Sequence, residues 1–105
     1  MLIVIDLPAA AVSLEQPGEF TRFSAAVRGH GDLPAVVQAA ALGRVAADGD
    51  HVVVDPAAVR RLAGPAADEA WDEGFAGMCV YAAGKGWVEP DGGILAHVER
   101  ETEGG

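Results

Sequence analysis

Five consecutive residues, Val52-Val53-Val54-Asp55-Pro56, constrain the fold of this 105-residue chain more than any other stretch. Three β-branched residues in a row are typical of a buried strand. An aspartate can cap a helix with its side-chain oxygen, and proline suits the first helical position because it has no N–H to leave unpaired. The segment therefore predicts a strand followed directly by a helix from Pro56 to Ala63, so the chain must combine strands with helices.

Three segments before this junction also have interpretable patterns. Leu2-Ile3-Val4-Ile5 is short, apolar and β-branched, which predicts a buried strand. Asp32 is placed to cap a helix over residues 33–42, and Gly43 is placed to end it in the left-handed conformation. Residues 20–28 fit either a helix or a strand, and we favour the strand because their aromatic and β-branched side chains suit a half-buried pleat.

The second half of the chain predicts two hairpins around a long helix. Asp48-Gly49 and Asp91-Gly92 are favoured hairpin turns. Between them a helix is predicted from near Pro65 to about Gly84, because apolar residues recur there at helical spacing. The members of this apolar stripe are Trp71, Phe75, Met78, Cys79 and Ala82.

Together these elements predict a single small α+β domain over residues 1–98, with N-terminal strands, three helices and two β-hairpins. From about residue 32 the order of helix, hairpin, short helix, longer helix and hairpin resembles that of a winged-helix domain, in which residues 85–93 would form the start of the wing. The resemblance implies a fold and no activity. Residues 99–105 are acidic and end in glycine, so we expect a disordered tail.

Small residues dominate the composition. The chain has 21 alanines, 14 glycines and 13 valines. Alanine buries little apolar area, so we expect the core of such a domain to provide only a modest hydrophobic stabilisation. Burial of an apolar face in a homodimer would add to it.

Charge narrows the classes of partner. Seven basic residues against 16 acidic ones give a net charge of −9, which opposes binding to nucleic acid and to anionic membranes. No run approaches 18 apolar residues, and the first residues lack the basic region of a signal peptide. We therefore expect a cytoplasmic protein, and the preference for arginine over lysine suggests a bacterial one.

Residues able to carry out chemistry are few. Cys79 is the single cysteine, and its place on the apolar stripe favours a core thiol over a nucleophile. His51 follows the acidic turn at residues 48–50, and His97 lies near the end of the last predicted strand; neither has the spacing of a metal site. No glycine-rich phosphate loop occurs. We predict no catalytic residue, metal or cofactor, and keep as an alternative an enzyme or small-molecule-binding domain that uses His51, His97 or Cys79.

Three features point instead to contact with another protein. Four carboxylates gather at the start of the long helix, where a basic partner surface could meet them; they are Asp68, Glu69, Asp72 and Glu73. Trp87, beside Gly86, is predicted to be a half-exposed contact residue, since tryptophan is frequent at interface hot spots. Gly74 and Gly77 lower the stability of the helix, which suggests that another backbone approaches it closely.

The sequence thus favours a non-enzymatic module for protein interaction or dimerisation, with a protein partner or a second copy as its ligand. Besides the enzyme or small-molecule reading, a winged-helix nucleic-acid binder remains as an alternative, and the charge of −9 disfavours it.

Overall fold

Six strands and three α-helices make up the chain in the computed structural model, which describes residues 1–101. The strands are β1 (Leu2–Asp6), β2 (Ala11–Glu15), β3 (Ser24–Arg28), β4 (Gly43–Val45), β5 (His51–Val54) and β6 (Ile94–Glu101). The helices are α1 (Leu33–Ala39), α2 (Pro56–Ala63) and α3 (Glu69–Gly84), and a 3-10 turn at Gly64–Ala66 links α2 to α3. The single α+β domain predicted from the sequence is thus confirmed.

The strands form one curled mixed sheet in the order β2-β1-β3-β6-β5-β4. The three central strands β1, β3 and β6 run parallel to one another. At one side β2 is antiparallel to β1, and at the other β5 is antiparallel to β6 and β4 to β5. The outermost strands are thus each joined to the sheet by an antiparallel pairing.

The three helices pack with one face of this sheet. Side chains alternate between the faces along a strand, and the core contains Ile3 and Ile5 of β1 but not Val4 between them. The helical part of this core consists of Leu33, Val36, Val37, Ala58, Val59, Ala63, Trp71, Phe75, Met78 and Ala82. On the opposite face Val4, Ala26 and Val53 are buried all the same, and each is at most 4% exposed.

Aspartate caps start the helices where the sequence predicts. The Asp55 carboxylate accepts a hydrogen bond from the Ala57 N–H at 2.9 Å, and α2 spans residues 56–63 as predicted. Asp32 likewise caps α1 through the Ala35 N–H at 3.1 Å. The start of these two helices is therefore a local property of the chain.

The end of α1 was predicted wrongly. The helix ends at Ala39, and the left-handed residue is Ala41, with φ of 52°. Gly43 belongs to β4, where a Cβ atom would overlap the Val53 carbonyl oxygen of the paired strand. Glycine is needed there for close backbone approach within the sheet, and not to stop the helix.

The long helix starts later than predicted. Pro65 lies in the 3-10 turn, and α3 begins at Glu69 after Asp68, whose carboxylate accepts the Trp71 N–H at 2.8 Å. Its end at Gly84 is as predicted, and Trp71, Phe75, Met78 and Ala82 are buried. The predicted apolar stripe is therefore the face that α3 turns to the core.

The ambiguous segment 20–28 contains the strand that we favoured. Ser24–Arg28 form β3, which pairs in parallel with β1. The four residues before it are not part of the strand. Strand β2 was not predicted; its Val12 and Leu14 pack against the core, while Ala11, Ser13 and Glu15 are exposed.

The structure does not show the winged-helix order. The first hairpin is present as β4 and β5, but the second is reduced to one antiparallel bridge between Val88 and Ile94. Strand β6 pairs instead with β5 and, in parallel, with the distant β3. It extends to Glu101, so residues 99–101, which were assigned to the tail, belong to the strand. Residues 102–105 lie outside the described part of the chain.

Within residues 1–101, no helix has the length and apolar character needed to cross a membrane.

Candidate functional site

The four carboxylates at the start of α3 do not act as one group. Asp68 is the N-cap of the helix, and the Asp72 carboxylate is paired with the Arg60 guanidinium at 2.9 Å. Glu69 and Glu73 are exposed. Two of the four predicted interaction residues thus have partners within the chain, and two are exposed to a possible partner.

Cys79 lies on the margin of the apolar stripe. It is half-buried and packs against the core. Burial raises the pKa of its thiol above the usual value, and the positive charge of the nearby Arg60 acts in the opposite direction with a smaller effect. A thiol kept protonated is a poor nucleophile, so the geometry favours the predicted structural role.

Three large apolar side chains are exposed near the end of α3. Val80 is 73% exposed, Tyr81 59% and Trp87 47%. Tyr81 and Trp87 meet edge to face, with ring centres 6.2 Å apart, and the Lys85 ammonium lies 5.5 Å from the centre of the Tyr81 ring. Trp87 is thus half-exposed, as the sequence predicts, and it has two exposed apolar neighbours that the sequence analysis did not single out.

A groove of about 450 Å³ runs along α3 beside these residues. Its walls are formed by Phe20, Thr21, Gly74, Gly77, Met78 and Tyr81. The two glycines differ. A Cβ atom on Gly74 would overlap the Phe20 ring, whereas no atom lies within 4 Å of a Cβ atom on Gly77. The predicted close approach is therefore made at Gly74 by an aromatic ring and not by a backbone, and Gly77 is open to solvent.

Contacts with Trp71 hold the wall of the groove that faces α3, which is formed by the segment before β3. The Trp71 indole N–H donates to the Pro17 carbonyl oxygen at 2.7 Å. Its ring is stacked on Phe75 at 4.8 Å between centres and lies 6.2 Å from Phe20. The segment before β3 is thus held against the helix, so the groove has a defined shape.

A second site lies where His51 meets His97. The two residues are directly opposite each other in the pairing of β5 with β6, and their ring centres are 5.4 Å apart. The Asp48 carboxylate is 2.9 Å from Nδ1 of His51. The rings line a shallow cavity of about 180 Å³ together with Phe23, Trp87 and Leu95. Trp87 therefore belongs both to this cavity and to the apolar surface next to α3.

A polar cavity of about 310 Å³ surrounds an ion pair between Arg44 and Asp91 at 2.8 Å. Asp91 also accepts the Gly93 N–H, and this bond, followed by the bond from Arg44, lowers the pKa of its carboxyl group. Both side chains have a partner within the chain, and the pair joins β4 to the turn before β6. We assign it a structural role.

Sequence patterns alone could identify only part of these sites. Val80 falls on the side of the predicted helix opposite its apolar stripe, so its exposure was a detectable signal, whereas Tyr81 falls on the flank of the stripe. The meeting of His51 with His97 depends on the register of two strands about 45 residues apart, which has no local signal. No group of three or more histidine, cysteine and acidic side chains that could hold a metal occurs in the described range 1–101.

Comparisons of the chain with models of known protein families, with curated proteins and with solved structures found no match.

Proposed function

We propose that this protein is a non-enzymatic module that associates with a second copy of itself through the exposed face of α3. The observation that carries the proposal is the exposed apolar surface of Val80, Tyr81 and Trp87 beside the groove along the helix. Large exposed apolar patches are typical of surfaces that bind other proteins. Tyrosine and tryptophan are also enriched among the residues that contribute most to binding.

The spacing of residues on α3 suits a helix as the occupant. Glu73, Gly77, Val80 and Gly84 follow one another at intervals of four, three and four residues, so they share one face of the helix. All four are exposed, and they lie opposite the buried stripe. With no side chain at Gly77 and free space around it, a second helix can approach the backbone there.

Charge favours a second copy in antiparallel orientation. A dimer of identical chains normally has a two-fold axis, so the same surface contacts itself. If that axis passes near Gly77, Lys85 comes to the same level along the helices as Glu69 of the partner subunit, because each is eight residues from the glycine. The antiparallel arrangement thus brings the end of α3 that is followed by the one lysine of the chain beside the acidic start of the partner's helix.

The helix alone is too small for the whole interface. A helix of 16 residues offers a strip of about 24 Å by 10 Å, whereas a stable interface buries about 800 Å² on each partner. The neighbouring Phe20 and Trp87 extend the apolar surface on the side of the helix where Tyr81 lies. We therefore include both in the proposed interface.

Other partners have less support. A basic protein could engage Glu69 and Glu73 but would leave the apolar groove unexplained. Nucleic acid and anionic membranes are disfavoured because the chain has a net charge of −9. An enzyme based on Cys79 is disfavoured by the raised pKa of its thiol.

Sedimentation equilibrium tests the proposal directly. The unmodified chain should be a dimer at tens of micromolar, and Val80→Glu should be monomeric because it places a charge in the apolar interface. Ala57→Glu is the matched control, since it adds the same charge at an exposed position on α2. The control should remain dimeric. A monomeric unmodified chain, or a Val80→Glu variant that dimerises like the control, would contradict the proposal.

A further inference from the structure

His51 and His97 form a cross-strand pair on the face of the sheet away from the helices. Alternation along β6 places His97 on the side opposite the core residues Ala96 and Val98. His51 is its direct partner in the register of β5 with β6. Both strands belong to the interior of the sheet, so the backbone fixes the separation of the two imidazoles.

The spacing of the rings is that of two ligands to one metal ion. Two imidazoles bound to zinc through N–Zn bonds of about 2.0 Å in tetrahedral geometry place their ring centres about 5 Å apart. The observed separation is 5.4 Å, with the ring planes inclined at 70°.

Asp48 supplies the outer contact that metal-binding histidines usually have. Its carboxylate lies 2.9 Å from Nδ1 of His51. When the Nδ1–H donates a hydrogen bond to that carboxylate, the lone pair of the imidazole is on Nε2, where a metal can bind. A carboxylate in this position also makes the imidazole a stronger ligand and fixes its orientation.

The surroundings favour a cation over an anion. The cavity is lined by His51, His97, Phe23, Trp87 and Leu95, with no lysine or arginine among them. Carboxylates flank it on both strands, at Asp48 and Asp50 before β5 and at Glu99 two residues along the same face of β6. Imidazole ligands select zinc, copper and nickel over magnesium and calcium.

We propose that His51 and His97 bind a divalent transition-metal ion of the zinc class, with Asp48 as the positioning residue of His51. Two protein ligands leave the other coordination positions to water or to a further ligand, so the ion stays accessible from the cavity. The two histidines lie on the sheet and not on α3, so they bind the ion without the dimer, although Trp87 lines this cavity and also belongs to the proposed interface.

Calorimetric titration of the full chain with Zn²⁺ tests the proposal, in a buffer that does not bind metal. One ion per chain should bind with a Kd below about 100 µM. His51→Gln and His97→Gln should each weaken zinc binding at least about tenfold. Asp48→Asn should also weaken it, but by a smaller factor. His30→Gln is the matched control, because His30 is exposed in a loop, and it should bind as the unmodified chain does.

Nuclear magnetic resonance of the imidazole protons provides a second measurement that needs no variant. Zn²⁺ should shift or broaden the signals of two histidines and leave the third unchanged. Val80→Glu should bind zinc normally, which separates a failure of this proposal from a failure of the proposed dimer. The proposal is overturned if binding is absent at millimolar zinc, or if His51→Gln and His97→Gln bind as tightly as His30→Gln; the pair is then a packing contact alone.

Discussion

The indole N–H of Trp71 donates to the carbonyl oxygen of Pro17 at 2.7 Å and thereby ties α3 to the segment that precedes β3. Trp71 is 5% exposed. Because it also contacts Phe20, one wall of the groove along α3 depends on this residue. The packing of the core and the shape of the proposed interface are therefore linked through Trp71.

Replacing Trp71 by phenylalanine should destabilise the fold. The change removes the hydrogen bond to Pro17 and leaves a small void, so the free energy of unfolding should fall by about 1–3 kcal/mol. Urea unfolding followed by circular dichroism measures it. Trp87→Phe is the matched control at a half-exposed tryptophan; with both variants in the Val80→Glu background, where dimerisation does not contribute, it should change the free energy of unfolding by no more than about 0.5 kcal/mol. Equal effects of the two substitutions would show that Trp71 has no special role.

Alanine at the two glycines inside α3 should have different effects. Gly77→Ala adds a methyl group in open space, so the higher helix propensity of alanine should raise the stability of the subunit by about 0.5–1 kcal/mol. Gly74→Ala gains the same propensity but must displace the Phe20 ring, and should be the less stable variant. Both are best compared in the Val80→Glu background, where dimerisation does not contribute. A Gly74→Ala variant as stable as Gly77→Ala would contradict the packing of Phe20 on α3.

Stability should depend on the ionisation of Asp91. The hydrogen bond from the Gly93 N–H and then that from Arg44 lower the pKa of its carboxyl group in the folded chain. A group with a depressed pKa in the folded state contributes stability above its unfolded pKa of about 3.9 and loses that contribution as the pH falls through the folded value. Asp91→Asn should therefore be less stable than the unmodified chain at pH 7.

The same comparison below pH 4 provides the control. The difference in the free energy of unfolding between the two chains should shrink there, because the unmodified carboxyl group becomes neutral as well. If the difference in the free energy of unfolding stays constant from pH 7 to below pH 4, the charge of Asp91 contributes nothing to stability.

The sequence predicts those parts of the fold that depend on neighbouring residues. Asp32 and Asp55 determine helix starts through bonds to the backbone two or three residues ahead, and such bonds have a local signal. The buried stripe of α3 follows from helical spacing. The parallel pairing of β6 with β3 joins residues about 70 positions apart, as in Ser24 with His97, and no local pattern encodes it.

The candidate sites, too, could be predicted only where residue type or neighbouring residues carry the signal. Trp87 was identified because of its residue type, which is frequent in interfaces whatever the fold. Phe20 was assigned to a possible strand, and the hydrogen bond of Trp71 to Pro17 together with the ring contact of Phe20 with Trp71 explains why its segment lies against α3 instead. Gly43 was interpreted as a helix stop because its contact with Val53 forms only once β4 and β5 have paired.

If two copies meet with antiparallel α3 helices at Gly77, cysteines placed at this position should form a covalent link between the two copies. At an interaxial distance of about 10 Å, with Cα atoms about 2.3 Å from each axis, the two copies of residue 77 lie about 5 Å apart. That separation is suitable for a disulfide. Gly77→Cys in a Cys79→Ala background should therefore form disulfide-linked dimers under mild oxidation.

Ala83→Cys in the same background is the matched control, since Ala83 is exposed on the same helix but turned away from Gly77 by about 120°. The measurement is the fraction of chain that runs as a dimer on a non-reducing gel after oxidation at tens of micromolar protein. If the two copies meet at Gly77, most of the Gly77→Cys chain should run as a dimer, and only a small fraction of the Ala83→Cys chain should do so. Failure of Gly77→Cys to cross-link, or equal cross-linking of both variants, would contradict it.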